Sequence, residues 1–247
     1  MTVGCERLGR ALVVTIDRPR QRNAVDDSTA EALVEAVAEF EAGDAAVLVL
    51  TGAGGTFCAG ADLSALDTLA PRLLGGKAPL GPTHTLVSKP VIAAVEGWCV
   101  AGGLELALWA DLRVCAPTAR FGCLERRWGV PLVDGGTWRL PRVIGLGRAL
   151  DLILTGRVVE ADEALAIGLV NRVADDPLAS ALELAELIAA HPQPTLLSDR
   201  RSVYDGYGLG QADALAHELA LGRDVLPVAV EGAARFVSGD GRGGKAL

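Results

Sequence analysis

A buried strand, a glycine-rich loop and a helix follow one another at residues 47–66, and the same succession returns at residues 91–110. This repetition constrains the fold most. In the second copy the apolar run Val91-Ile92-Ala93-Ala94-Val95 has the character of a strand buried on both faces and bounded upstream by Pro90. It leads through a turn at Gly97 to a helix that opens at Ala101-Gly102-Gly103. Each glycine inside a helix costs about 1 kcal/mol relative to alanine, so an adjacent pair needs a reason. Bare backbone that must approach a neighbour or offer free N–H groups is such a reason. The first turn of a helix has unpaired donors and the positive end of the dipole, and it suits an oxyanion. Glu105 lies in that turn among Leu104, Leu106 and Leu108, and a half-buried acid beside a donor site is the raw material of acid–base catalysis.

The first loop, Gly52-Ala-Gly-Gly-Thr-Phe-Cys-Ala-Gly-Ala-Asp62, fits neither nucleotide template. A dinucleotide fingerprint needs glycine where Phe57 stands, and a P-loop needs lysine where Ala61 follows Gly60. Taken alone it is a tight turn feeding a helix. Paired with the second loop it offers more, because two backbone amides aimed at one carbonyl oxygen make an oxyanion hole.

The rest of the chain reads as α/β and then helical. Residues 11–16 form a strand that stops before Pro19, and residues 26–40 have helical apolar spacing with Asp27 or Ser28 as N-cap. Residues 62–69 make a short helix, and residues 71–82, rich in Gly and Pro, a mobile loop. A strand covers 112–115. Helices are expected at 149–154, 161–167, 178–190, 193–204, 212–221 and 225–237, before a polar, Gly-rich, frayed tail at 238–247. No linker separates the α/β portion, residues 1–190, from the helical portion, residues 191–247, so both are assigned to one structural unit.

Charge and composition exclude several functions. The 247 residues carry a formal net charge of −8 without a basic run, which argues against nucleic acid as a partner. The start, MTVGCERLGR, lacks the pattern of a signal peptide, and no apolar run reaches the roughly 18 residues a membrane span needs. The five cysteines are scattered without a C-x-x-C, and the three histidines are isolated, so a cytoplasmic protein with reduced thiols and no metal site is expected. Glu125 stands beside Arg126 and Arg127, an ordinary place for a salt-bridged acid, and Asp134 reads as a helix N-cap.

In combination the segments resemble the enoyl-CoA hydratase/isomerase (crotonase) family. The resemblance rests on Arg18-Pro-Arg-Gln-Arg-Asn-Ala, Thr56-Phe-Cys-Ala-Gly-Ala-Asp-Leu, Lys89-Pro-Val-Ile-Ala-Ala-Val-Glu-Gly and Ala101-Gly-Gly-Leu-Glu-Leu-Ala. It continues in Ala110-Asp-Leu-Arg, Ala119-Arg-Phe-Gly, Gly135-Gly-Thr-Trp-Arg-Leu-Pro-Arg and Ala164-Leu-Ala-Ile-Gly-Leu-Val. It implies an α/β spiral of ββα repeats with a helical C-terminal region that assembles homotrimers or hexamers. It places the oxyanion-hole amides on Ala61 and Gly102 and the two catalytic acids on Glu105 and Glu125. Coenzyme A, part of the thioester substrate and no separate cofactor, is expected along Arg18, Ala24, Ala59, Asp62 and Leu63, with Phe236 or Lys245 of a neighbouring subunit near the nucleotide.

The implied reaction is reversible addition of water to a 2-trans-enoyl-CoA in fatty acid metabolism. Two retained glutamates favour hydration over the alternatives, a double-bond isomerase, another crotonase-type acyl-CoA reaction, or a non-catalytic acyl-CoA binder. The chain departs from the family pattern at Leu124, where many hydratases have proline, at Arg126-Arg127-Trp128, where their pattern is apolar, and at Asp134, a position commonly small and uncharged. Asp134 therefore puts a third carboxylate beside the site.

Overall fold

Strand β1 (Val3–Leu8) pairs antiparallel with β2 (Ala11–Ile16), in register from Val3 opposite Ile16 to Leu8 opposite Ala11, in this computed structural model, which describes residues 2–239. Strand β1 has no apolar alternation (VGCERL), so only the pairing with β2 makes it a strand. Helix α1 (Asp27–Ala42) follows, buries Leu33, Ala36, Val37 and Phe40, and starts one residue earlier than local spacing suggests. Its N-cap is Asp26, which is extended there and whose carboxylate accepts the Thr29 N–H at 2.8 Å; Asp27 and Ser28 already lie within the helix. Its last turn has no basic residue, and Lys89 supplies one from a distance, donating to the carbonyls of Phe40, Gly43 and Ala45.

After β3 (Val47–Gly52) comes a 3-10 turn (Leu63–Ala65) and then α2 (Leu66–Leu74). Helix α2 continues past Leu69 and through Pro71, where a loop is expected from the Gly and Pro content. Tertiary anchoring overrides the proline. The buried Arg72 guanidinium donates to the Ala78 carbonyl at 2.7 Å and pairs with Asp27 and Glu31 on α1 at 3.2 and 2.5 Å. Residues 75–77 are exposed, and the chain is packed again from Ala78 to Leu80.

The chain then forms β4 (Val91–Val95), β5 (Trp98–Val100), α3 (Gly102–Trp109), β6 (Leu112–Cys115) and β7 (Arg120–Gly122). Helices α4 (Gly136–Ile144) and α5 (Leu146–Thr155), strand β8 (Val159–Glu160), helix α6 (Ala161–Ala166), strand β9 (Arg172–Val173) and helix α7 (Pro177–Ala190) follow. The larger sheet has the order β1-β2-β3-β4-β6-β9, parallel from β2 onward. Every residue of β4 is buried, as a central parallel strand covered on both faces requires. The smaller sheet has the order β5-β7-β8.

Contacts divide the chain between Glu186 and Leu187, inside α7, whereas the expected boundary falls after residue 190. The second unit contains α8 (Gln193–Gly206), α9 (Gln211–Asp224) and α10 (Leu226–Ser238), and the described part of these helices exposes Leu215, Leu219, Leu226, Val230 and Phe236. Lys245 and most of the tail read as frayed lie outside the described residues.

Candidate active site

The two glycine loops meet because the first one lies alongside β5. Cys58 N–H donates to the Trp98 carbonyl at 3.0 Å and Val100 N–H to the Cys58 carbonyl at 3.1 Å, a short parallel bridge between Cys58 and Cys99. On its other side the loop bridges Val25 to Ala61, with Val25 N–H on the Gly60 carbonyl and Asp62 N–H on the Val25 carbonyl, both at 2.8 Å. Buried Asn23 holds the upstream end of the loop. Its amide donates to the carbonyls of Ala53 and Thr56 at 2.8 and 2.6 Å, and its oxygen accepts the Arg18 N–H at 2.9 Å.

The glycine pair at the start of α3 is explained by this approach. A methyl group on Gly103 would sit 2.1 Å from the Cys58 carbonyl oxygen. Ahead of the pair Ala101 has φ 54° and ψ −130°, a conformation unfavourable for a residue with a Cβ, which turns the chain sharply from β5 into α3. Ala61 and Gly102 both line one cavity, and no backbone hydrogen bond from either amide is found among the described residues.

That cavity has a volume of about 480 Å³ and also takes in Glu105, Glu125 and Asp134. Its wall is otherwise apolar. Leu66, Leu69 and Leu73 contribute one face of α2, and Leu80, Leu124 and Val130 contribute much of the rest. The α2 leucines are wall residues that the local reading misses, although their spacing of three and four was available as a signal. Trp128, at 73% exposure, is also part of the lining, on the 3-10 turn Leu124–Trp128 that carries Glu125.

Glu105 is 2% exposed, and its Oε1 accepts the backbone N–H groups of Asp134 at 2.9 Å and Gly136 at 2.7 Å. Burial pushes its pKa up to about 7, with the charges of Asp134 and Glu125 adding to the rise and the two amides opposing it. Glu125 is 5% exposed; its Oε1 lies 3.4 Å from Arg126 Nε, and its Oε2 is buried without a partner. Burial raises its pKa as well, against the pull of Arg126. One oxygen of this buried acid is therefore left without a partner among the described residues.

Asp134 is not a helix cap. The cap of α4 is Gly135, with no side-chain hydrogen bond, and the Asp134 carboxylate reaches across the fold. Its Oδ1 accepts the Leu80 N–H at 3.0 Å and the Thr83 hydroxyl at 2.5 Å. Arg139 donates to the Asp134 carbonyl oxygen, and Arg127 to the Gly156 carbonyl.

Of the residues expected to contact coenzyme A, Ala59 and Leu63 line the cavity. Arg18, Ala24 and Asp62 are not part of its lining. The Arg18 guanidinium pairs with Asp26 at 2.9 Å and Asp62 at 3.0 Å and donates to the Ala24 carbonyl, so its head group is committed to holding the loop. Phe236 belongs to the second unit, on α10, and is exposed. Among the described residues no group of three or more His, Cys, Asp or Glu could hold a metal ion, and no helix is long and apolar enough to cross a membrane.

A family model described as enoyl-CoA hydratase/isomerase matches residues 8–197. The chain belongs to the enoyl-CoA hydratase/isomerase family. Among its relatives is a probable enoyl-CoA hydratase of Mycobacterium tuberculosis, 39% identical over 88% of this chain and 87% of that protein. A short-chain-enoyl-CoA hydratase of Clostridium acetobutylicum is 38% identical over 86% of this chain and 85% of its own length. The fold is that of solved family members. A crystal structure of an enoyl-CoA hydratase from Mycobacterium tuberculosis superposes with a TM-score of 0.88 at 36% identity, covering 96% of both chains. One from Geobacillus kaustophilus gives 0.89 at 31% identity, covering 96% of this chain and 95% of the other. The crotonase-like α/β architecture expected from the ordered motifs is therefore the one this family member adopts.

Proposed function

We propose that this protein adds water reversibly to 2-trans-enoyl-CoA thioesters, giving 3-hydroxyacyl-CoA. The observation that carries the reading is one cavity lined by both Ala61 and Gly102, whose amides make no backbone hydrogen bond among the described residues, and by two buried carboxyls, Glu105 and Glu125. The names of the relatives, hydratases over most of their length, support the same reaction.

In this reading the thioester carbonyl oxygen accepts hydrogen bonds from the Ala61 and Gly102 amides. A carboxylate takes one proton from water, the water oxygen bonds to C3, and the electron pair of the C2–C3 double bond moves to make an enolate whose charge rests on the held oxygen. C2 then takes a proton from the other carboxyl as the enolate collapses to the ketone form of the thioester. Loss of one amide donor from such a site costs about 2.7–4 kcal/mol of transition-state stabilisation. Two acids with raised and mutually dependent proton affinities suit a step that needs one carboxylate and one carboxylic acid together. Coenzyme A is part of the substrate. It passes along Ala59 and Leu63, while Arg18, Ala24 and Asp62 shape the loop beneath. The reading extends to a homotrimer or hexamer in the cytoplasm, with Phe236 of one subunit near the nucleotide bound to another; the solution mass tests the assembly.

Loss of the conjugated enoyl thioester absorbance, followed with short and long 2-enoyl-CoAs, tests the reaction. Turnover by the wild type that falls by several orders of magnitude in both Glu105→Gln and Glu125→Gln is expected. No turnover at any chain length would sink hydration. Isomerisation of 3-enoyl-CoA that survives Glu125→Gln would favour a double-bond isomerase, and thioester binding without either reaction a non-catalytic binder.

A further inference from the structure

We propose that Asp134 is a positioning residue for Glu105, joining the cavity wall at residues 80–83 to the turn that holds the Glu105 carboxyl. The inference rests on the hydratase reading and assigns a task to a carboxylate that the reaction does not need as an acid or a base. Asp134 faces two ways. Its backbone N–H donates to Glu105 Oε1 at 2.9 Å, and its side chain takes hydrogen bonds from Leu80 N–H and the Thr83 hydroxyl at 3.0 and 2.5 Å.

Further contacts tie the same two segments. Arg139 donates to the carbonyls of Asp134 and Thr83 at 2.9 and 2.5 Å, and His84 Nε2 lies 2.7 Å from the Val133 carbonyl. The second amide on Glu105, from Gly136, comes from the same turn at 2.7 Å. Glu105 Oε1 is thereby fixed by a turn that is itself fixed by the Asp134 side chain. Leu80 and Asp134 both line the cavity, so one carboxylate sets the acyl wall and the orientation of the acid together. A buried aspartate has a reason to occupy a place where an alanine would leave the Leu80 amide and the Thr83 hydroxyl without their acceptor.

The charge adds a second effect. Asp134 is 1% exposed and lies near enough to Glu105 to raise its proton affinity. The other groups around the pair are Glu125, which also raises Glu105, and His84 and Arg139, which lower Asp134. The thiols of Cys58 and Cys123 face the cluster as well and are held protonated by burial, with pKa values pushed up to about 12.

Asp134→Asn and Asp134→Ala separate the parts, because asparagine keeps an acceptor for Leu80 and Thr83 without the charge. In Asp134→Asn the Glu105-dependent limb of the pH profile is expected to move to lower pH, with kcat at its plateau within a few-fold of wild type. In Asp134→Ala kcat is expected to fall on the order of 100-fold, the effect of misplacing a reacting group by about 1 Å, while KM changes little. The protonated-carboxyl infrared band that disappears in Glu105→Gln gives a readout independent of turnover. Its titration midpoint is expected to drop in Asp134→Asn, and the band is expected to broaden in Asp134→Ala. An unchanged midpoint and an unchanged band in Asp134→Asn and Asp134→Ala would overturn the proposal. If the wild type fails to hydrate any enoyl-CoA, the hydratase reading falls, and the infrared titration still decides whether Asp134 positions Glu105. Should Asp134→Ala not fold, Thr83→Val, which removes one of the two donors to the Asp134 carboxylate, takes its place, and an unchanged Glu105 band in that variant would overturn the proposal.

Discussion

The Cα of Gly60 packs against the amide of Gly102, so closely that a Cβ on Gly60 would stand 2.8 Å from that nitrogen and 3.0 Å from the Ala101 Cβ. Gly60 also has φ +97°, a conformation that glycine adopts freely and a residue with a Cβ does not. This contact joins the loop that carries Ala61 to the helix that starts at Gly102.

Gly60→Ala is therefore expected to destabilise the protein by more than about 2 kcal/mol, from strain and overpacking together, and to lower kcat on the order of 100-fold by parting the two amides. Gly55→Ala is the matched control. Gly55 has φ +74° with nothing within 4 Å of its absent Cβ, so the backbone penalty alone, about 1–2 kcal/mol, should appear without the loss of kcat. Chemical denaturation and turnover measured on both variants check the pair. Equal kcat in the two would show that the Gly60–Gly102 contact does not set the site.

The raised pKa of Glu105, about 7 against an ordinary 4.5, also makes a stability prediction. Between those values the folded protein binds a proton at Glu105 that the unfolded chain has released, so stability falls as pH rises through this window. The loss attributable to this group has a slope of at most about 1.4 kcal/mol per pH unit and ends above the folded pKa. Glu105→Gln, which has no proton to release, should lack this component. Denaturation midpoints of wild type and variant between pH 4.5 and 8 should diverge in the wild type's disfavour as pH rises; parallel curves would contradict the raised value.

Asn23 accounts for the loop Arg18–Ala24 in structural terms. Asn23→Ala removes two donors and one acceptor that are buried with the Arg18 amide and the Ala53 and Thr56 carbonyls, and it leaves alanine at φ 57°. The expected cost is about 2–4 kcal/mol, read from a urea midpoint. KM for enoyl-CoA should rise with it, since Asn23 holds the separate loop at residues 52–62 that carries Ala59 and leads into Leu63. A stable variant with an unaltered KM would limit Asn23 to a peripheral turn.

Much of this was legible along the chain because the relevant interactions are local. The apolar run at Val91–Val95 and the short segment Leu112–Cys115, each bounded by a proline, read as buried strands, and Gly102-Gly103 before Glu105 announces a close approach and a free helix start. Periodicity also located the later helices, since α5 to α10 draw their apolar faces from residues three and four apart. Strand β1 was not legible, because its residues carry no strand pattern and are ordered by pairing with β2. Nor was the course of α2 through Pro71, where local propensity says stop and the Arg72 anchor to α1 and Ala78 carries the helix on.

Asp134 shows the division most clearly. An aspartate two residues before a helix reads locally as a cap, and no local rule could reveal that its acceptors serve Leu80 and Thr83, more than fifty positions earlier. The sequence by itself determined which residue types were available: two loop amides on small residues, an acid at 105 set among leucines, and a second acid at 125 beside two arginines. Only the tertiary structure decided that these share one cavity and that Glu105 is held by the turn at 134–136. Burial and distance create the proton affinities and the unpaired donors, and both are properties of chain segments brought together rather than of any segment alone.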